Sequence, residues 1–80
     1  MKAKVLITGI AGLLGSNFSR YLQQEGYNVI GIDDFSGGYK ENLAKGIKCT
    51  NINLANLEAV DKFFAEEKPE YVYHFAAYAA

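Results

Sequence analysis

The sequence predicts an α/β fold built on a parallel sheet, and three observations lead to it. Four short apolar runs are typical of strands buried on both faces, and two longer segments carry apolar residues at helical spacing. The runs and segments follow one another in the order β-α-β-β-α-β. Strands joined through helices pair in parallel through right-handed crossovers, which gives the fold class.

The first strand and the first helix are predicted from adjacent segments. Lys4–Thr8 is short, β-branched and apolar on both faces, which is typical of a strand inside a parallel sheet. An amphipathic helix is predicted over Leu13–Glu25, and Gly26 follows it as a stop signal. Its apolar face is predicted to consist of Leu14, Phe18, Tyr21 and Leu22, and its polar face of Ser16, Asn17, Arg20 and Gln24.

The rest of the chain supplies three further strands and a second helix. The strands are predicted at Tyr27–Ile32, Ile47–Ile52 and Glu70–Phe75. The second helix is predicted over Leu57–Glu67, because Asn56 is a good N-cap and Pro69 ends the pattern. Residues 35–46 are polar and predict a loop with one helical turn around Glu41–Ala44.

Three glycines, each three residues from the next, separate the first strand from the first helix. In this position the spacing is a dinucleotide fingerprint. Gly9 is expected to let the chain turn off the strand, Gly12 to let a pyrophosphate approach the backbone, and Gly15 to let the helix pack closely on the strand. The amides of Leu13 and Leu14 are expected to face the phosphates at the positive end of the helix dipole. A glycine-rich turn without a ligand is the alternative.

Two acids, Asp33 and Asp34, follow the second strand. A dinucleotide fold places an acid at this point to accept hydrogen bonds from the ribose hydroxyls, which is the role expected for Asp33. Two carboxylates would repel a 2′-phosphate, and Lys40 is the only basic residue nearby. NAD is therefore expected rather than NADP. For Asp34 alone, a solvated turn is the alternative.

Four motifs in the same order resemble one known family. They are the G-x-x-G-x-x-G spacing, the stretch DDFSGGYKENL from Asp33, which is similar to D-N-L-S-x-G-x-x-x-N-L, the stretch NLAN from Asn53, which is similar to D-L-x-D, and the stretch HFAA from His74, which is similar to H-[LF]-A-A. Together they resemble the extended short-chain dehydrogenase/reductases, which are NAD-dependent nucleotide-sugar epimerases and dehydratases. The resemblance covers the whole chain. It implies a Rossmann-type sheet, incomplete here, with four strands in the order 3-2-1-4.

The resemblance also implies a set of residues that contact the cofactor. The glycines and the leucine amides would hold the pyrophosphate, Asp33 and the residues after it the adenosine ribose, and residues 53 and 54 the adenine. Phe75 and the alanines after it would line the floor toward the nicotinamide ribose. The implied cofactor-binding residues are Gly9, Gly12, Leu13, Leu14, Asp33, Asp34, Phe35, Ser36, Gly37, Gly38, Asn53, Leu54, Phe75, Ala76 and Ala77.

The sequence departs from the family pattern at two of these positions. Asn53 stands where the family has Asp, so its contact with the adenine amine would carry no charge. Ala79 stands where galactose epimerases carry a lysine. His74, the only histidine, is expected to be a structural residue in a buried strand, and a functional role is the alternative.

The family transfers a hydride between a sugar carbon and the nicotinamide, using a tyrosine base, a lysine four residues later and a serine or threonine. No tyrosine of this sequence is followed four residues later by lysine. Residues 1–80 are therefore interpreted as the N-terminal part of an NAD(P)-binding domain, with the catalytic region and the substrate domain absent. No catalytic residue is predicted, and the chain alone is expected to be inactive.

Composition disfavours several other partners. The formal net charge is −1, with acids and bases mixed along the chain, so no basic stripe indicates a nucleic acid or a lipid surface. No apolar run reaches the ~20 residues that span a bilayer. A signal peptide is disfavoured, because Thr8 and the glycines interrupt the apolar stretch after Lys4. The single cysteine, Cys49, fits a reducing compartment, and a cytoplasmic location is expected.

Two functions remain open at the level of sequence. The first is the NAD-binding segment of a nucleotide-sugar epimerase or dehydratase, whose sugar substrate binds only to the full-length parent enzyme. The second is a non-catalytic nucleotide-binding or assembly module. Its basis is the fourth strand, Glu70–Phe75, which lies at a sheet edge in the implied strand order and is apolar enough to associate with a second copy.

Overall fold

The computed structural model describes residues 3–75 and contains one four-stranded parallel sheet. The strands are β1 (Lys4–Thr8), β2 (Asn28–Asp33), β3 (Lys48–Asn51) and β4 (Tyr71–His74), and the helices are α1 (Leu13–Gln24) and α2 (Leu57–Glu67). A short 3₁₀ turn covers Lys40–Asn42. The strand order is β3-β2-β1-β4, so the predicted fold class and strand order are confirmed.

The core lies on both faces of the central strand β1. On one face Val5 and Ile7 pack with Leu22 of α1, and on the other Leu6 packs with Phe63 of α2. Successive side chains of a strand point to opposite faces, so the two helices cover opposite sides of the sheet. Val5, Leu6 and Ile7 are essentially inaccessible to solvent, and burying each stabilises the fold by about 1.5–3 kcal/mol.

The buried face of α1 differs from the predicted one. Leu14 and Tyr21, expected in the core, are 69% and 57% exposed. Leu22 is buried and Phe18 packs against the core as predicted, but the other buried residues are Gly15, Ser16 and Ser19. The predicted face is therefore wrong at Leu14, Tyr21 and Ser16, because small side chains let this helix lie close to the sheet.

Hydrogen bonds inside α1 make the burial of its serines possible. Ser16 Oγ donates to the Leu13 carbonyl at 3.1 Å, and Ser19 Oγ donates to the Ser16 carbonyl at 2.7 Å. A buried hydroxyl with a partner avoids the cost of an unsatisfied polar group. The serines can lie on a face where hydrophobic residues were expected, because their side chains are small and their hydroxyl groups are hydrogen-bonded within the helix.

The strand β4 forms one edge of the sheet and is the most exposed of the four strands. Tyr71, Val72 and Tyr73 are between 42% and 58% exposed. His74 is exposed as well, so the expectation that it lies in a buried strand is wrong. Its Nδ1 lies 2.6 Å from Thr8 Oγ1, which gives the ring a partner on β1.

Caps and ion pairs fix both ends of α2. The Asn56 side chain accepts a hydrogen bond from the Ala59 N–H at 3.1 Å, as expected of an N-cap. At the other end the Glu67 carboxylate lies 2.9 Å from Lys48 Nζ and 3.4 Å from Lys4 Nζ. The hydrogen bond from Lys48, followed by that from Lys4, lowers the pKa of Glu67. Within residues 3–75, no helix is long and apolar enough to cross a membrane.

Candidate functional site

A cleft of about 140 Å³ opens at the carboxyl ends of the strands. The chain runs from β1 to β2 and β3 on one side and returns to β4 on the other side of β1. Ligands of open parallel sheets bind where the strand order reverses in this way. The cleft is lined by Gly9, Gly12, Ile32, Asp33, Asp34, Ser36, Gly37, Ile52, Leu54 and Phe75.

One wall of the cleft is the glycine turn, residues 9–12, between β1 and α1. Gly9 has φ 71°, a left-handed conformation that favours glycine, so the expected sharp turn is present. The Gly12 N–H donates to the Gly9 carbonyl at 3.1 Å, which closes the turn. A Cβ at Gly15 would collide with the Gly9 carbonyl oxygen. The close approach that Gly15 permits is therefore between the helix and the glycine turn, not between the helix and the strand.

The start of α1 offers backbone donors beside this turn. Gly12 is the N-cap and has no side chain to accept a bond from the first amides of the helix. Among the hydrogen bonds of residues 3–75, none uses the N–H of Leu13 or Leu14. Both leucine side chains are exposed and lie outside the lining of the cleft. The two amides and the positive end of the helix dipole are suited to an anion.

Asp33 is the charged group at the centre of the cleft. It is only 8% exposed, and it belongs to β2, although the sequence placed it after the strand. Its Oδ2 accepts the Ala11 N–H at 2.9 Å, and its Oδ1 accepts the Phe35 N–H at 2.7 Å. These two bonds explain why a carboxylate is tolerated at a buried position. Each oxygen keeps a lone pair that a hydroxyl group could use.

The residues after Asp33 form the acidic loop, residues 34–42. Asp34 is exposed, and its Oδ1 accepts hydrogen bonds from the Ser36 N–H at 2.9 Å and from Ser36 Oγ at 2.7 Å. These bonds lower the pKa of Asp34. Asp34, Ser36 and Gly37 line the cleft, and a Cβ at Gly37 would meet no atom within 4 Å.

Two predicted residues of this loop face elsewhere. Phe35 has φ 62° and lines a second groove together with Lys40, Leu43, Ile47, Cys49 and Asn51. Gly38 is buried against Ala11 and Gly12, where a Cβ would collide with their backbone atoms. The structure therefore brings Gly38 to the glycine turn and Phe35 to the second groove, and neither contributes to the lining of the cleft.

The opposite wall of the cleft is apolar. Leu54 lies there as the sequence predicted, and Ile32 and Ile52 contribute residues that sequence reasoning missed. A usable signal existed, since Ile32 immediately precedes the last residue of β2 and Ile52 immediately follows the last residue of β3. Asn53 is exposed and outside the lining, and its Oδ1 accepts the Ala55 N–H at 2.8 Å.

The remaining predicted residues follow β4. Phe75 lines the cleft next to the end of β1, and its N–H donates to the Thr8 carbonyl at 2.9 Å. The predicted contacts of Ala76 and Ala77, and the departure at Ala79, lie outside the described residues. His74 is not part of the cleft lining.

Two other kinds of chemistry are disfavoured in the described part of the chain. Residues 3–75 contain no group of three or more His, Cys, Asp or Glu side chains that could hold a metal ion. Burial, with a smaller contribution from the charge of Asp33, raises the pKa of Cys49 to about 11. The thiol is therefore protonated at neutral pH and is a poor nucleophile.

The residues of the cleft suit a dinucleotide in three respects. The glycine turn has no side chain at Gly9 or Gly12 that would keep a ligand away from the backbone. The amides of Leu13 and Leu14 suit a pyrophosphate, and Asp33 suits a ribose diol. Residues 5–80 match the family described as the NAD dependent epimerase/dehydratase family. The chain belongs to this family.

This member of the family is similar to proteins several times its length. It is 38% identical to Protein CapI of Staphylococcus aureus over 95% of this chain and 25% of the relative. The structure of UDP-glucose 4-epimerase from Thermotoga maritima with UDP-glucose aligns with a TM-score of 0.91 and 36% identity, over 96% of this chain and 25% of that one. The Thermus thermophilus UDP-glucose 4-epimerase complex with NAD aligns with a TM-score of 0.90 and 36% identity, over 96% and 25%.

These similarities confirm the family resemblance and the Rossmann-type sheet. The chain spans about a quarter of the length of the relatives that it matches.

Proposed function

We propose that this chain supplies the adenine half of an NAD site in a nucleotide-sugar epimerase or dehydratase. The observation that carries the proposal is the cleft, where the glycine turn, the free amides of α1 and the Asp33 carboxylate meet at the reversal of strand order. The glycine turn with Leu13 and Leu14 holds the pyrophosphate, and Asp33 with the acidic loop holds the adenosine ribose.

The apolar wall of the cleft takes the adenine ring. Ile52 and Leu54 cover the base. Asn53 lies outside the cleft lining, and the proposed contact with the adenine amine uses the lone pair of Oδ1 that the Ala55 N–H leaves free. Phe75, Ala76 and Ala77 form the floor toward the nicotinamide ribose. When bound, the cofactor would supply a hydride acceptor and donor, and the residues of this chain bind and orient it.

The cofactor is NAD rather than NADP. Asp34 is an exposed carboxylate, and its hydrogen bonds with Ser36 lower its pKa below the ordinary value. Asp33 and Asp34 both line the cleft, and the repulsion between these carboxylates and a 2′-phosphate supports NAD. Lys40, the only nearby base, lines the second groove instead of the cleft.

The reaction belongs to the full-length parent, an extended short-chain dehydrogenase/reductase with isomerase or dehydratase activity. In this reaction a carbon of a UDP-sugar would be oxidised, and NAD, when bound, would accept the hydride. The parent enzyme is cytoplasmic. Residues 1–80 belong to its NAD(P)-binding domain, and no tyrosine among them is followed four residues later by lysine, so no turnover is expected from the chain alone. A reading frame that continues beyond residue 80 and encodes Tyr-x-x-x-Lys supports this part of the proposal, and a frame that stops at residue 80 contradicts it.

Binding can be tested on the chain itself by ¹⁵N NMR titration with NAD and NADP at millimolar concentrations. NAD is expected to shift the amides of Gly12, Leu13 and Leu14, with NADP binding at least about tenfold more weakly, as one strong repulsive contact predicts. Asp33→Asn should weaken NAD, and Asn28→Ala, at the other end of β2, serves as the control. The proposal that the chain binds NAD by itself fails if NAD shifts none of these amides.

A second function is favoured by one observation, the exposure of β4. Tyr71, Val72 and Tyr73 form an uncharged strand at the sheet edge, and such an edge pairs readily with another chain. Under this proposal the chain is an assembly module that associates with a second copy through β4. Light scattering after size-exclusion chromatography should then show a dimer at high concentration, and a monomer at every concentration contradicts it.

A further inference from the structure

Asn42 lies outside the cleft but contacts the glycine turn. It is the last residue of the 3₁₀ turn that ends the acidic loop, and it is absent from the cleft lining. Its Nδ2 donates to the Ala11 carbonyl at 2.9 Å, across 31 positions of sequence. The Tyr39 N–H donates to the same oxygen at 3.1 Å. The acidic loop therefore closes onto the turn through two bonds to one backbone atom.

The peptide groups on both sides of Ala11 are held by these contacts. Its N–H donates to Asp33 Oδ2, and its carbonyl accepts from Asn42 and from Tyr39. The Ala11 carbonyl belongs to the same planar peptide as the Gly12 N–H, so fixing the oxygen fixes the plane. Gly12 is the N-cap of α1, and no hydrogen bond of the described residues uses the next two amides, those of Leu13 and Leu14.

Asn42 is itself held from two directions. Arg20 of α1 donates from Nη2 to the Asn42 carbonyl at 2.7 Å. Gly38 packs against Ala11 and Gly12 so closely that no side chain fits between the loop and the turn. The amide of Asn42 is thus presented to Ala11 by a segment anchored on the helix that the turn begins.

We propose that Asn42 is a positioning residue for the pyrophosphate of the dinucleotide. By fixing the Ala11–Gly12 peptide, it holds the amides of Leu13 and Leu14 in the orientation that an anion requires. This inference rests on the proposed NAD-binding function. It predicts a difference between two kinds of ligand. Replacing Asn42 weakens the binding of a ligand that carries a pyrophosphate, but not the binding of a nucleoside that contacts only Asp33 and the apolar wall.

The two affinities can be measured by titrating the 80-residue chain with ADP-ribose and with adenosine while recording ¹⁵N chemical shifts. Asn42→Asp is nearly isosteric, removes the donor and puts an acceptor beside the Ala11 oxygen. We expect it to weaken ADP-ribose by about fivefold or more, since one hydrogen bond is lost, while adenosine changes less than about twofold. Asn28→Ala, an exposed asparagine at the opposite end of β2, should change neither.

A purely structural role predicts a different result. If both ligands weaken equally, or neither weakens, the positioning role is overturned. Asn42→Ala repeats the test without the added charge, and the role is also overturned if neither variant folds, because Asn42 is then required for the fold itself.

A measurement made without ligand distinguishes failure of the proposed NAD-binding function from failure of the inference about Asn42. If the unmodified chain binds neither ADP-ribose nor adenosine, the NAD-binding function fails for this chain. Amide hydrogen exchange then decides the inference, since Asn42→Asp should accelerate exchange of the Tyr39 and Ala11 amides while the strand amides of β1 stay protected. Unchanged exchange of the Tyr39 and Ala11 amides overturns the fixed-peptide argument.

Discussion

On one side of β1, the acidic loop folds back over the glycine turn, whereas on the other side β4 ends the sheet with exposed side chains. The turn and the loop are joined by bonds from Asp33, Tyr39 and Asn42 to the backbone of a single residue, Ala11. β4 is joined to the sheet by strand pairing and by the contact between His74 and Thr8. The two neighbours of β1 thus differ: β2 leads into a loop that is hydrogen-bonded to the glycine turn, whereas β4 is exposed.

The difference indicates what each side does. Hydrogen bonds within the chain fix the glycine turn, which favours binding because less ordering remains to be done. The exposed Tyr73 of β4 lies against the half-buried ring of Phe18 on α1, with the two ring centroids 4.8 Å apart. An apolar surface that extends from the strand onto the helix is typical of a region that packs against more protein.

The largest expected effect is at the contact between α1 and the glycine turn. Gly15→Ala puts a Cβ into the Gly9 carbonyl, and we expect it to lower the free energy of unfolding by about 3 kcal/mol in urea denaturation. Helix propensity alone predicts the opposite sign, a gain of about 1 kcal/mol. Gly37→Ala is the matched control, because its Cβ would meet nothing within 4 Å. Equal stability of the two variants would contradict the close packing described here.

The sequence predicted the glycine turn well because glycine reports backbone conformation directly. Gly9 makes the predicted turn, and Asp33 lies at the carboxyl end of β2, one residue inside the strand that it was expected to follow. The alternation of strands and helices predicted the parallel sheet, and the family resemblance implied the strand order. The buried face of α1 could not be predicted from hydrophobicity, because Ser16 and Ser19 are buried for their small size. Asn42 stands at the asparagine of the D-N-L-S-x-G-x-x-x-N-L pattern, but its contact could not be predicted, since its partner is a backbone oxygen 31 positions away in the sequence.

The second expected effect concerns the buried carboxylate of β2. Asp33→Asn keeps the shape but turns an NH₂ group toward one of two backbone donors, the N–H of Ala11 or of Phe35. We expect the free energy of unfolding to fall by about 2 kcal/mol, the cost of a buried donor left unsatisfied. Asp34→Asn, at the exposed neighbour, should cost less than about 0.5 kcal/mol. If urea denaturation gives the two variants the same stability, Asp33 does not hold the glycine turn.

A smaller effect on stability is expected at the sheet edge. Val72→Lys places a charge on an exposed position of β4 and should change the free energy of unfolding by less than about 0.5 kcal/mol. The same change should abolish any concentration-dependent association, because charged residues on an edge strand block pairing. Val29→Lys is the contrasting variant, since Val29 is buried in the core and its replacement should unfold the chain. Association that persists in Val72→Lys would show that β4 is not the contact.

The smallest effect is at the far end of the sheet, where Glu67 joins α2 to β1 and β3. The hydrogen bonds from Lys48 and Lys4 lower the pKa of Glu67 in the folded chain below its value in the unfolded chain. Its contribution to stability is therefore complete above the unfolded pKa, near 4.5, and is lost as the pH falls through the folded pKa. Glu67→Gln should remove this part of the pH dependence, whereas Glu66→Gln, one residue earlier and exposed, should leave it unchanged. Because the pair is partly exposed, raising the salt concentration should reduce the difference between the two variants, and a difference that is independent of salt would argue against the ion pairs as its cause.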